Sequence, residues 1–303
     1  MRGRFAPSPT GELHVGNLRT ALAAWCSARS QGGSFVVRME DLDPVTSSPA
    51  HEARQLDDLA RLGIVGDVPV LRQSERFDLY RDAIEQLRRA GLVYPCYCTR
   101  REIREASAAP HGEPLPDGAY PGTCRDLSAD DRRRREDDGR RPALRLRTSG
   151  ERYVVHDVVA GTFEGGIDDV VLQRNDGVPA YNLAVVVDDH LQGVTEVVRG
   201  DDLLPSTPRQ LHLQHLLGLD TPVYAHVPLV VGTDGVRLAK RHGAVTSSEL
   251  AARGVSAGRL LAVLGASLGA EVVDHEVDAV TVAAQFSWAA VPCQPFTWRD
   301  DLL

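Results

Sequence analysis

Apolar positions along the chain alternate between two periods, and that alternation predicts the architecture. Phe5 and Ala6 end a short apolar run that reads as a buried strand; Pro7 and Pro9, which lack amide donors, forbid its continuation, and Gly11 turns the chain. From Gly16 the spacing Leu18, Ala21, Leu22, Trp25 and Ala28 marks one face of an amphipathic helix that runs to about Arg29. Gly32 and Gly33 break the pattern, and residues 34–40 predict a second strand, closed by Asp41, Asp43 and Pro44. A strand, a helix and a strand in about forty residues form the parallel crossover unit of a doubly wound sheet, whose ligands sit at the carboxyl ends of strands. Glu40 stands at such an end.

Helical patterns follow over 49–62 and 77–90, with Leu, Ala and Ile on one face, and Gly91 closes the second. The charge run 130–141 sets six Arg against five acids, which predicts a solvated helix rather than a basic arm. Residues 143–147, 153–158 and 169–173 read as short strands that would build the sheet of an inserted domain. Residues 181–187 are a buried helix or strand, 196–199 a strand ending in charge, 206–217 a helix and 223–231 a further strand. Ala- and Leu-rich helices complete the chain to Leu303.

Composition narrows the class. A chain of 303 residues, 43% hydrophobic and 25% charged, is that of a globular protein with a sizeable core. No apolar run approaches the ~18 residues of a membrane span, and residues 1–10 lack the apolar centre of a signal peptide, so a cytoplasmic protein is expected. A net charge of −8 argues, on charge alone, against a nucleic-acid partner. Arg supplies 33 of the 34 basic residues, and the single Lys is Lys240. An ammonium is a compact point charge where a guanidinium is a planar fork, so the position of that one Lys carries information.

Two places carry candidate chemistry. The first helix begins just after a loop, so its free amides and the positive end of its dipole favour an anion such as phosphate. His14 can add a ring N–H, and Gly16 lets a base or phosphate approach the backbone. Of five cysteines, Cys96, Cys98 and Cys124 cluster in one stretch, which in a reducing compartment points to a metal rather than to disulfides. Zinc needs a fourth ligand, and both His111 and Tyr120 lie between Cys98 and Cys124; His is the ordinary choice on chemistry alone.

The run Arg-Phe-Ala-Pro-Ser-Pro-Thr-Gly-Glu-Leu-His-Val-Gly-Asn at 4–17 resembles the first signature of class I aminoacyl-tRNA synthetases in its glutamate-specific form, with Asn17 in place of the last His. Val236-Arg237-Leu238-Ala239-Lys240-Arg241 resembles the second signature, Lys-Met-Ser-Lys-Ser, with Arg237 in the first Lys position, Ala239 in place of Ser, and Lys240 as the second Lys. The chain is thus similar to glutamyl-tRNA synthetases. More closely, it resembles their truncated paralogues that place glutamate on the queuosine of tRNA(Asp).

The resemblance implies a Rossmann-like doubly wound α/β catalytic domain in two parts, 1–93 and 181–242, an inserted zinc-bearing acceptor-type domain at 94–180, and a short helical region at 243–303 without an anticodon-binding domain. It implies that L-glutamate and ATP, with magnesium, give glutamyl-adenylate, and that glutamate then passes to tRNA. His14 and Lys240 are the implied catalytic residues, and His14, Gly16, Asn17 and Lys240 the ATP contacts. Arg4, Ser8, Glu40, Tyr181 and Arg199 are implied for glutamate, with Glu40 taking the ammonium. The family pattern Cys-x-Cys then Tyr-x-x-x-Cys gives Cys96, Cys98, Tyr120 and Cys124 as zinc ligands, with His111 second to Tyr120. Only 63 residues follow Lys240, too few for a helical anticodon reader of ~100 residues. Three other readings remain: a glutamyl-tRNA synthetase charging the 3′ end, a small-molecule nucleotidylyltransferase, and a non-catalytic tRNA-binding paralogue.

Overall fold

The structure is a computed structural model that describes residues 1–107, 119–238, 245–272 and 274–302. Lys240, Ala239 and His111 lie outside the described residues. Strand β1 (Arg2–Phe5), helix α1 (Val15–Ser30) and strand β2 (Ser34–Met39) stand where the periodicity put them, and β1 pairs with β2 in parallel with Arg4 opposite Val36. Helix α2 (Pro49–Arg61), the short strand β3 (Leu71–Arg72) and helix α3 (Phe77–Arg89) follow. Ser48 caps α2 through its side chain and Pro49 opens it, the favoured place for proline.

The middle of the chain holds β4 (Val93–Cys96), α4 (Arg100–Ser107), α5 (Ala129–Asp137), β5 (Ala143–Leu146), β6 (Arg152–Asp157), β7 (Gly161–Gly166) and β8 (Val171–Gln173). Helix α5 buries no residue, as its mixed charge predicts. The chain then returns through α6 (Tyr181–Leu191), β9 (Glu196–Gly200), α7 (Thr207–Leu217), β10 (Val223–Val227) and β11 (Val230–Val231). Helices α8 (Ser247–Ala252), α9 (Ala257–Ser267) and α10 (Ala279–Ala284) and strand β12 (Phe296–Thr297) complete it.

The main sheet has the order β3-β2-β1-β9-β10-β6-β7, parallel throughout except for the last pair. Parallel pairing brings the carboxyl ends of β1, β2 and β9 to one edge, which is where a doubly wound sheet opens a crevice. Helix α1 packs on one face with Leu18, Leu22 and Ala24 buried against Phe35 and Met39, and α9 and α10 cover α1 from outside.

The structure corrects two expectations and decides one choice that the pattern left open. Residues 153–158 were expected in the sheet of an insertion; β6 instead joins the main sheet, with Asp157 opposite Tyr224 on β10, and forms a hairpin with β7. Only β4, β5 and β8 make a separate three-stranded sheet, antiparallel. Alternation identifies a strand but does not choose its partner. Residues 181–187 are helical; the run is buried on every side, from Leu183 to Asp189, which removes the amphipathic signal. The single strand expected over 223–231 is divided at Pro228, which has no N–H for a ladder and whose carbonyl accepts from Arg19 Nη1 at 2.8 Å. Among the described residues no helix is long and apolar enough to cross a membrane.

Candidate active site

His14 is the N-cap of α1. Its Nδ1 accepts the Asn17 amide at 3.2 Å, while Asn17 Oδ1 accepts the His14 amide at 3.1 Å. This is a capping box with an imidazole in place of the usual hydroxyl. Since Nδ1 accepts, the ring proton sits on Nε2. Burial, and next the charge of Arg237, lower the His14 pKa, so the neutral ring offers an N–H donor near pH 7. A Cβ at Gly16 would stand 2.9 Å from His14 Cε1 and 3.0 Å from Nδ1, so glycine makes room for the imidazole itself. The imidazole takes the room that the sequence pattern offers to a ligand.

The loop before α1 is held by a residue that sequence reasoning missed. Gln55 Nε2 donates to the carbonyls of Ser8 at 3.1 Å and Gly11 at 2.7 Å, and the side chain is buried. Its signal was available: Gln55, Asp58, Leu59 and Leu62 are buried at i, i+3, i+4, i+7 spacing, so two polar residues lie on the apolar stripe of α2 and its cap. On either side of 239–244, Leu238 donates to Val230 O at 3.1 Å and Val245 O accepts from Val15 N at 2.8 Å. Both anchors adjoin the start of α1.

These elements enclose a cleft of ≈ 580 Å³. Arg4, Ser8, His14, Gly16, Asn17, Glu40, Tyr181 and Arg199 all line it, with Gln55 and Arg237. Arg4, 3% exposed, donates through Nη1 to Val198 O at 2.7 Å, and its Nε is 3.6 Å from Asp189 Oδ1. Beneath Glu40 lies Arg38, wholly buried, which donates to Asp189 at 2.8 Å, Gln192 at 2.9 Å and Glu40 at 3.3 Å. Asp188 in turn accepts from Gln73, Arg76 and the Tyr80 hydroxyl at 2.8, 2.7 and 2.6 Å. This charge network fixes the floor of the cleft.

Burial raises the Glu40 pKa, opposed by Arg38 and Arg4. Tyr181, at the start of α6, has its phenol raised by burial and next by Glu40, with Arg199 and Arg4 acting against that. Arg4, Glu40, Tyr181 and Arg199 are therefore within electrostatic reach of one another. The cleft offers two buried guanidinium groups, one buried carboxylate and a phenol, a complement for a small ligand carrying both an ammonium and carboxylates. Arg237, exposed, is paired with Asp202 at 2.7 Å.

The sulfur atoms of Cys96, Cys98 and Cys124 lie within 4.8 Å of one another. The Tyr120 hydroxyl is 3.3 Å from Cys96 Sγ and 3.7 Å from Cys98 Sγ, and accepts the Cys124 amide at 2.7 Å. Hydrogen bonds from Cys124 and next Cys98 favour the Cys96 thiolate. Arg145 stands 3.7 Å over the Tyr120 ring. Three sulfurs and one oxygen around one point fit a tetrahedral metal.

The family model for the catalytic domain of class I tRNA synthetases, E and Q, matches residues 1–276. A glutamyl-Q tRNA(Asp) synthetase of Nocardia farcinica is 54% identical over 99% of this chain and 93% of its own length. A glutamate–tRNA ligase 2 of Syntrophus aciditrophicus is 44% identical over 88% of this chain but 58% of its own. Among solved structures, a glutamate tRNA ligase of Elizabethkingia meningosepticum in complex with its amino acid superposes with a TM-score of 0.85 at 26% identity, covering 100% of this chain and 68% of that one.

Proposed function

The chain belongs to the E and Q group of class I tRNA synthetases, and from that premise we propose that it activates L-glutamate with ATP and transfers it to the queuosine of tRNA(Asp). The observation that carries the reading is the convergence of Arg4, Glu40, Tyr181 and Arg199 on one cleft with the His14 donor at the start of α1. The relative named for queuosine is 54% identical, against 44% for the ligase from Syntrophus, which favours queuosine over the 3′ end as acceptor. A net charge of −8 is no obstacle, because exposed charges more than about a Debye length apart are screened and a nucleic acid feels the local field.

In the first step a carboxylate oxygen of glutamate attacks the α-phosphorus of ATP and pyrophosphate leaves. In the second a hydroxyl of the acceptor attacks the acyl carbonyl and AMP leaves. Glu40 takes the substrate ammonium; Arg4, Ser8, Tyr181 and Arg199 hold the rest of glutamate. His14 Nε2–H, the positive end of the α1 dipole beside Gly16 and Asn17, and Lys240 meet the phosphate charge, the Val15 and Asn17 amides being already committed to Val245 O and His14 Nδ1. Magnesium arrives on ATP and neutralises its phosphates. The chain's own contribution is orientation and preorganised charge. Pyrophosphate exchange into ATP should require glutamate and proceed without tRNA; exchange that needs tRNA, or that glutamate does not support, overturns the reading.

The inserted region is read as a zinc-bearing acceptor domain. Cys96, Cys98, Cys124 and Tyr120 would hold zinc, which supplies a structural crosslink between β4 and the segment before α5. One zinc per chain is expected by metal analysis. Cys124→Ser should lose it and lower Tm by ~4 °C or more, the shift that about 2 kcal/mol produces in a chain of this size. Tyr120→Phe should bind zinc more weakly, while full binding by Tyr120→Phe together with loss in His111→Ala would transfer the fourth position to His111.

A further inference from the structure

Behind the cleft, Arg199 meets a buried chain of polar groups that the reaction as described does not use. Its Nε donates to His226 Nε2 at 2.9 Å, Nη1 to Gln210 Oε1 at 2.8 Å and Nη2 to Thr207 Oγ1 at 2.8 Å. His226 is wholly buried on β10, and its Nδ1 lies 2.6 Å from Asp157 Oδ2. Asp157 is itself fixed: its carboxylate accepts the backbone amides of Val159, Ala160 and His226 at 2.8 to 3.1 Å. Those partners settle the tautomer. Nδ1 carries the proton toward the carboxylate, and Nε2 is left as an acceptor for the guanidinium. Burial, and the nearby charges of Arg199 and Arg4, hold the ring neutral against the pull of Asp157. For Asp157 burial acts upward but is outweighed by the hydrogen bonds from His226 and the backbone, so the group stays ionised.

We propose that His226, oriented by Asp157, is a positioning residue that sets the guanidinium of Arg199 for capture of the substrate's carboxylate. Arg199 has five N–H donors, of which three are held by His226, Gln210 and Thr207, leaving one on each Nη. Anchoring Nε from behind fixes the plane of the fork and therefore the direction of those two. A guanidinium without that acceptor keeps only the anchors at its two Nη tips, Gln210 and Thr207, and its bidentate geometry loosens. Asp157 comes from β6, in the stretch that sequence patterning gave to the insertion, so that stretch supports Arg199 from behind the cleft through His226.

The inference rests on the reading of Arg199 as a glutamate ligand, and two conservative variants of His226 separate it from a packing role. Gln places an acceptor near the position of Nε2, whereas Asn reaches only the position of Nδ1. In glutamate-dependent pyrophosphate exchange, His226→Asn should raise the KM for glutamate ~10-fold or more, the loss expected for a hydrogen bond to a charged group. The KM for ATP should stay within ~2-fold and kcat within ~3-fold. His226→Gln should restore the glutamate KM to within ~3-fold of the parent. Equal values for the Asn and Gln variants, or a parallel rise in the KM for ATP, would overturn the proposal. Arg199→Lys provides the control: if it leaves the glutamate KM unchanged, the assignment of Arg199 fails, and if it raises that KM while His226→Asn does not, only the positioning role fails.

Discussion

Glutamate transfer should disappear when the tRNA comes from cells unable to make queuosine, and should persist on queuosine-bearing tRNA(Asp) that lacks its 3′-terminal adenosine. The effect is expected to be nearly all-or-none, because the acceptor hydroxyl is either present or absent. An acyl-adenylate is already activated, and any hydroxyl correctly presented to it can take the acyl group. In the proposed reading, Arg4, Glu40, Tyr181, Arg199 and the start of α1, which line the cleft of ≈ 580 Å³, would orient glutamate and ATP, and acceptor choice would fall to whichever nucleotide reaches its mouth. An anticodon loop is suited to that, since single-stranded bases can be splayed into a pocket where paired bases cannot. The two substrates separate the readings cleanly: charging of the 3′ end requires the terminal adenosine and ignores queuosine. That opposite pattern would falsify the queuosine assignment and leave glutamate activation standing.

Lys240→Ala should lower glutamate-dependent pyrophosphate exchange by ~10² or more, the usual cost of removing a partner of charge that develops in a transition state. As pyrophosphate leaves, negative charge builds on the β- and γ-phosphates, and a lysine ammonium meets it as a compact point charge where a paired guanidinium cannot. The chain uses Arg for 33 of its 34 basic residues and reserves its one Lys for this motif. Arg237, in the first Lys position of the same motif, is tied to Asp202 at 2.7 Å and is 56% exposed, so its charge is committed and screened. Leu238 and Val245, the described residues on either side of 239–244, are both buried and bonded next to α1. Lys240→Arg should retain part of the rate. An unchanged rate in Lys240→Ala would remove the residue from the mechanism.

What the sequence determined by itself is what is written in adjacent residues. The β1-α1-β2 unit follows from two prolines, two glycines and a run of apolar residues at helical spacing, all within forty positions. The three cysteines were legible as a cluster in one stretch of chain, and the approach of their sulfurs to within 4.8 Å agrees with it, while Tyr120 came only from the family resemblance. The strand ends carrying Glu40 and Arg199 were legible too, since an apolar run that stops on a charge marks the edge of a sheet. Only the tertiary structure decided which strands are partners and which polar side chains are buried together. The strand β6 lies in the main sheet, where its last residue, Asp157, pairs with Tyr224 on β10, and its own alternation is the same whichever sheet receives it. His226 and Asp157 are 69 residues apart, Arg38 and Asp189 are 151 apart, and Gln55 reaches back to Gly11 across 44. Nothing local marks His226 as part of a site, and the helical stripe that holds Gln55 points to its burial but not to its partners. A buried polar group must find a partner, but which partner depends on the packing of elements far apart in the chain, and that packing is a property of the folded whole.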